Sequence, residues 1–376
     1  MHPCQHVRAY PLSFYVREIK PRIASVLATP AASRLLWLPV HVSVIVTAIL
    51  AIARGWLPWP ALPALSLVIG CSFGGLMFLG HETMHGAVLR GRWAWAKPIV
   101  GVLCFAPLVV SPRLWCIWHN RVHHGNAQRP GLDPDMYPSL ETYRASGLTR
   151  FATDHFAPGG GRWRGLLTLL IGFSGQSLKV LLSARSTVQI STRDYRRVIA
   201  ETALAAALWI ALAVAIGPAA FVFAYVLPLL VANVLVMAFI VTNHALSPAT
   251  EINDPLLGSL SVTVPRWIDW LTLDFGYHVE HHLFPAASAR HGRAIRAELA
   301  RTWPDRYQSM PLGAALLRLF RTGRVYQDAA TLSDPRGGGA WPALAPKSGA
   351  AASQDRDADL HHESAPASPA DPQVAA

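Results

Sequence analysis

Residues 35–53 run for nineteen positions without a charged side chain, with His41 the one ionisable group among them. At about 1.5 Å per residue, such a run crosses roughly 30 Å of hydrocarbon. Inside a bilayer the backbone has to satisfy its own hydrogen bonds, so a lone apolar run of this length becomes a helix. Residues 61–80, 198–217 and 219–242 repeat the pattern, with Glu201 near the start of the third run and Pro228 and Asn233 inside the fourth. Short turns at 54–60, with Trp56 and Trp59, and at Pro218 join the runs in pairs. The expected fold is therefore an all-α membrane protein, with four transmembrane helices in two hairpins. Residues 94–110 are apolar but broken by Lys97, Pro98 and Pro107, and read as a re-entrant or interfacial segment. Residues 166–182 read as an amphipathic interfacial helix.

The chain is 52% hydrophobic and 15% charged, against about 25% charge in ordinary soluble domains. Its net charge of +11 is spread over the loops between apolar runs, which suits a membrane surface and argues against nucleic acid as a partner. The two hairpin turns hold only Arg54, while the other thirty-two basic residues lie in the remaining segments. By the positive-inside rule that face is cytoplasmic, and both termini belong to it. Cys4, Cys71, Cys104 and Cys116 form no CxxC pair and read as reduced packing residues. The N-terminus does not read as a signal peptide. Three parts are expected: a cytoplasmic lead-in (1–34), a membrane domain (35–333) and a disordered tail (334–376), with His361 and His362 solvated in that tail.

Nine of the sixteen histidines fall in four places: His81 and His85; His119, His123 and His124; His244; and His278, His281 and His282. Spacings of three and four put imidazoles on one helix face, so each group is expected to aim two or three ring nitrogens at one point. All nine fall on the side assigned to the cytoplasm from charge and hydropathy alone. Neutral imidazole suits iron, zinc, copper or nickel. Nine ligands exceed the capacity of one ion, so a dinuclear centre under a cytoplasmic cap is the economical reading. Asn243, Asp133, Asp135, Glu280, Glu82 and Asp274 are candidates to orient the rings. His41, His155 and His291 lack clustered partners and receive no ligand role. His81-Glu82-Thr83-Met84-His85 also fits the H-E-x-x-H pattern of zinc proteases, but that reading leaves the other clusters unexplained. A metal transporter would need more polar residues inside the spans.

Taken together, Gly80-His81-Glu82-Thr83-Met84-His85-Gly86, the segment 119–124, Asn243-His244 and His278-Val279-Glu280-His281-His282-Leu283-Phe284-Pro285 resemble the integral-membrane fatty acid desaturases and their hydroxylase relatives. Asp133-Pro134-Asp135 adds to the likeness. The second box reads H-x-x-x-H-H where many members have H-x-x-H-H, which bears on the choice among reactions. The resemblance implies two iron ions held by the three boxes and His244. It further implies O2 as co-substrate and insertion of a double bond into an acyl chain carried on a lipid, coenzyme A or carrier protein. Hydroxylation and acetylenic bond formation are the alternatives within that superfamily. The chain has no heme segment, ferredoxin-type cysteine cluster or dinucleotide fingerprint, so electrons are expected from a separate ferredoxin or cytochrome b5-type donor.

Overall fold

The computed structural model describes residues 8–346. Cys4, His361 and His362, and the expected tail beyond residue 346, lie outside those residues. Its principal helices are α1 (Leu12–Ile19), α2 (Trp37–Ala53), α3 (Leu62–Met84), α4 (Lys97–Phe105), α5 (Leu166–Thr187), α6 (Thr192–Ile216), α7 (Leu227–His244), α8 (His278–Leu283), α9 (Gly292–Thr302) and α10 (Leu312–Arg321). Among the described residues, five helices are long and apolar enough to cross a membrane, those built on α2, α3, α5, α6 and α7.

α3 and α7 are the central pair. Their spanning windows are 61% and 50% buried, against 11–22% for the other three. Glycine makes this approach possible. A Cβ on Gly70 would sit 2.5 Å from Val231 Cβ, and one on Gly74, a turn later, 3.2 Å from Leu235 Cδ1. Small residues four apart let two membrane helices meet backbone to backbone. The polar residues noted in the spans are satisfied by protein partners. Asn233 Oδ1 accepts the Ser174 amide at 3.0 Å, and its Nδ2 donates to Ser174 Oγ at 2.9 Å. Glu201 accepts from Ser111 Oγ at 2.5 Å and faces Arg113 Nε at 3.5 Å.

The Asn233–Ser174 pair changes the reading of residues 166–182. α5 lies along α7, and its Ser174 and Gln176 meet protein partners while Lys179 and Arg185 stay exposed. The segment around 94–110 is sharply bent, as a re-entrant element or a broken span would be: Gly91–Leu108 and Pro112–Asn126 meet at a 98° bend. Val109 turns the corner with φ at 57°, and Ser111 caps the next helix by accepting the Leu114 amide at 3.2 Å. That helix then widens into a π-helix over Cys116–His123.

The lead-in is part of the cap. Tyr15 and Ile19 on α1 are buried with Val279, Leu283, Ile295 and Leu299 of α8 and α9. Asp254 ties them together, accepting from Tyr15 Oη at 3.0 Å and pairing with Arg306 at 2.7 Å. The fold is mostly helical but not wholly so. β1 (Ser261–Thr263) pairs in parallel with β2 (Ser309–Pro311), and β3 (Val325–Asp328), β4 (Thr331–Asp334) and β5 (Gly339–Pro342) form an antiparallel sheet. Disorder from residue 334 is therefore corrected up to residue 346. Leu332 is buried opposite Trp341, and the Leu344 amide donates to Leu246 O at 2.8 Å. The segment's average composition hides these two apolar anchors at its start.

Candidate metal centre

α3 and α7 end side by side, bringing His81 and His85 next to His244. The π-helix supplies His119 and His123, and α8 supplies His278, His281 and His282. The nine rings sort into two groups. The ligand atoms of His81, His85, His119 and His281 all lie within 4.8 Å of one another, as do those of His123, His244, His278 and His282. His124 joins the first group, with its Nε2 3.2 Å from that of His119 and 3.0 Å from that of His281. Its ring stacks on His282 of the second group, with centroids 4.4 Å apart.

This partition corrects the expectation that each box aims at one point. The second and third boxes are each divided between the two groups. In an α-helix His124 would point about 140° away from His119. The π-helix closes i→i+5 turns, bringing positions 119 and 124 onto neighbouring directions while His123 faces the other group.

Donor chemistry tests whether the groups suit metal ions. His244 Nδ1 donates to Gly258 O at 3.1 Å, which leaves its Nε2 with a lone pair. That Nε2 lies 2.6 Å from His278 Nε2 and 3.2 Å from His282 Nε2, and those two are 3.1 Å apart. Three ring nitrogens in a triangle cannot all be hydrogen-bonded, because each carries either one in-plane proton or one lone pair. A cation at the centre satisfies all three. His85 Nε2 is buried without a hydrogen-bond partner beside the first group. Burial holds His278, His281 and His282 well below the ordinary histidine range, so these rings stay neutral and able to ligate. Both groups fit metal ions.

Carboxylates divide by role. Asp133 Oδ1 meets His123 Nδ1 at 2.8 Å, fixing the proton there and freeing Nε2 for the second group. Asp135 Oδ2 lies 3.4 Å from the same nitrogen, and its other oxygen accepts from Trp118 Nε1 at 3.2 Å and from Gln176. Glu280 meets no ring. It accepts from Ser261 Oγ at 2.6 Å, Tyr307 Oη at 2.5 Å and Arg296 Nε at 3.1 Å. Ser261 Oγ in turn accepts the amides of His278 and Val279, capping α8 from another element. Glu280 therefore positions the helix as a whole. Asn243 is buried with no side-chain partner among the described residues, so it orients no ring. Glu82 and Asp274 face Arg34. His41 packs on Trp37, away from both groups.

Sequence reasoning missed Ser261 and Gln128. Gln128 is fully buried with φ at 60°; its amide donates to Asp133 Oδ2 and its Nε2 to His244 O, both at 2.8 Å. It joins the supports of two second-group ligands. A lone glutamine in a loop carries no spacing signal by which to find it.

A narrow, mostly apolar cleft of about 30 Å³ opens beside the histidines, lined by Met77, Phe78, Trp118, Phe173, Val236 and Ile240. Several of these belong to α3, α5 and α7. Phe275 closes it against His81, with ring centroids 4.9 Å apart.

Comparison with known proteins bears on this site. The sequence profile of the family described as fatty acid desaturase matches residues 55–313, which contain all nine histidines. The chain is 26% identical over 261 residues to an sn-1 oleoyl-lipid 12-desaturase of Synechocystis sp., covering 66% of this chain and 71% of that one. A chloroplastic omega-6 fatty acid desaturase of Spinacia oleracea is 22% identical, over 70% of this chain and 58% of its own. An sn-1 acyl-lipid omega-3 desaturase (ferredoxin) of Nostoc sp. is 26% identical over a shorter stretch, 35% of this chain and 36% of its own.

Proposed function

The chain belongs to the fatty acid desaturase family, and on that premise we propose that its nine histidines hold two iron ions for O2-dependent desaturation of a lipid-linked acyl chain. The protein is an oxidoreductase of the membrane. The observation that carries the finer reading is the two-group partition of the nine imidazoles beside an apolar cleft.

When bound, the metal pair supplies the redox chemistry: O2, two electrons and two protons are consumed as adjacent CH2 groups become CH=CH and two waters form. The chain's own residues do the rest. Asp133 and the Gly258 carbonyl hold protons on Nδ1 of His123 and His244, keeping their Nε2 atoms as donors. Phe78, Phe173 and Ile240 line the narrow apolar cleft beside the histidines, and these side chains have to part to admit an acyl chain in place of water. An acyl group on a membrane lipid is favoured over coenzyme A or carrier protein by the names of the similar proteins, which are acyl-lipid desaturases. A ferredoxin-type donor is favoured by the name of the Nostoc relative, and an acidic donor suits the basic loops.

Four spans, with both termini and the metal site cytoplasmic, remain our topology. Parity supports it. Arg121 donates to Val188 O at 3.1 Å and Arg113 faces Asp194 at 3.5 Å, so the chain enters and leaves 127–187 beside the second box. A segment that starts and ends on one face cannot contain a single full crossing, so α5 does not traverse the bilayer. The protease alternative loses its base: Glu82 is occupied by Ser288 Oγ at 2.9 Å and the Ala289 amide at 2.6 Å.

The test is metal content and product analysis of detergent-purified protein. Wild type is expected to hold two irons per chain and, with O2, reduced ferredoxin and phospholipid, to yield an unsaturated acyl chain. His281→Ala, which removes a ligand of the first group alone, is expected to hold one iron and give no product. One zinc per chain, unchanged in His281→Ala, would sink the proposal. An alcohol product would instead make the protein a hydroxylase.

A further inference from the structure

Arg34 precedes the first spanning helix and lies outside the residues matched by the family profile. It is only 7% exposed. Its guanidinium joins two histidine-bearing segments. Nη1 is 3.2 Å from Glu82 Oε2, between His81 and His85. Nη1 also donates to Leu273 O, and Nη2 pairs with Asp274 Oδ2, both at 2.5 Å. Leu273 and Asp274 have φ of 52° and 60°, two successive left-handed residues of which neither is glycine. Such a conformation persists only where surrounding contacts impose it. This turn leads through Phe275, which packs on His81, to the Tyr277 amide, which donates to Asp274 O at 3.2 Å, and so to α8. The neighbouring lead-in follows the same path: the Ala31 amide donates to Ala87 O and Arg90 Nη1 to Leu27 O, both at 3.1 Å.

We propose that Arg34 is a positioning residue for the first metal group. It fixes α3, which carries His81 and His85, against the strained turn that delivers His281. The planar fork of arginine hydrogen-bonds Leu273 O and Asp274 in set directions while its charge faces Glu82, which a lysine ammonium does not reproduce. Removing it leaves the buried Glu82 carboxylate and the half-buried Asp274 carboxylate facing each other without a cation. The second group has its own supports in Asp133, Gln128 and Gly258, none of which touches Arg34. His278 and His282 share α8 with His281 and its Ser261 cap, so the larger effect is expected on the first group, whose His81 and His85 flank Glu82.

The inference rests on the reading that the histidines hold a metal pair, and its test separates the two. Full-length wild type, Arg34→Gln, Arg34→Lys and the triple variant R34Q/E82Q/D274N are purified in mild detergent and loaded with Co2+. Metal content, the visible cobalt spectrum and circular dichroism are then recorded. Wild type is expected to bind two ions. Arg34→Gln is expected to stay helical with one ion bound near its wild-type affinity and the other 10- to 100-fold more weakly, the range for lost outer-shell support. Arg34→Lys is expected to fall between. The triple variant, which removes the uncompensated charge, is expected to match Arg34→Gln and serves in its place if that variant does not fold. Two ions bound with the wild-type spectrum and affinity in Arg34→Gln would overturn the inference alone. So would equal loss of both ions, or failure of all three variants to fold, since Arg34 would then support the fold and not one group. Fewer than two ions in wild type would overturn the metal-pair reading together with the inference.

Discussion

An imidazole has two nitrogens and, when neutral, one proton, so whatever accepts that proton decides which nitrogen faces a metal. At His123 the acceptor is Asp133, itself held by the amides of Gln128 at 2.8 Å and Asp135 at 2.9 Å. Asp133→Asn keeps the shape but removes the charge that favours the Nδ1 proton. It is expected to weaken metal binding at the second group by about 10- to 100-fold while sparing the first. Competition against a chelator of known affinity, followed by cobalt absorbance, reads the two groups separately; equal weakening of both would contradict the role. Which residues were readable beforehand follows from their local spacing. Eight of the nine histidines stand at short intervals within three boxes, His244 was marked only by its place at the end of a span, and all nine converge. Their division into two groups was not legible, because it depends on a π-helix and on how α8 meets α3 and α7. Ser261, Gln128 and Arg34 act across long sequence separations and leave no local pattern.

At the scale of elements, the centre exists because α3 and α7 touch along their length and so end at the same depth. Gly70 and Gly74 both sit on that contact, yet they are not equivalent. A methyl at 70 would meet Val231 Cβ at 2.5 Å and the backbone oxygen of Pro228 at 2.7 Å, neither of which can swing aside. A methyl at 74 would meet the flexible end of Leu235 at 3.2 Å. Gly70→Ala is therefore expected to cost about 1–3 kcal/mol by overpacking and to lower metal content, because the helices must part. Gly74→Ala is expected to change both much less. Thermal unfolding in detergent, with metal analysis of the folded fraction, checks the ordering; equal effects at the two positions would show that the helix contact does not set the site. α3 and α7 were readable from hydropathy, but their central place was not, since hydropathy cannot tell lipid from protein as the apolar neighbour. α5 shows the converse. Its polar positions suggested a wet face, whereas Ser174 pairs with Asn233 and Gln176 with Asp135 inside the protein.

For the whole molecule, charge and contacts bear on one question from different directions. Lysine and arginine crowd the segments outside the hairpin turns, which under the positive-inside rule supports the proposed cytoplasmic placement of those segments. Independently, contacts of Arg113 and Arg121 return the chain to the second box before α6 begins, so the number of crossings between the boxes and α6 is even. The tail's first residues agree with a cap on that same side: the Leu344 amide donates to Leu246 O just past His244, which composition alone had not revealed. The arrangement predicts the outcome of thiol labelling in a background lacking the four native cysteines. Trp56→Cys and Ala219→Cys, both exposed at hairpin turns, are expected to react with a membrane-impermeant maleimide in intact cells. Ala145→Cys, exposed between the second box and α5, is expected to react only after permeabilisation. If α5 were a fifth crossing, the bent pair Gly91–Leu108 and Pro112–Asn126, which carries the second box, would have to cross as well. Ala145 would then label from outside, the cytoplasmic placement of the histidines would fail, and the electron donor would have to reach the centre from the opposite face.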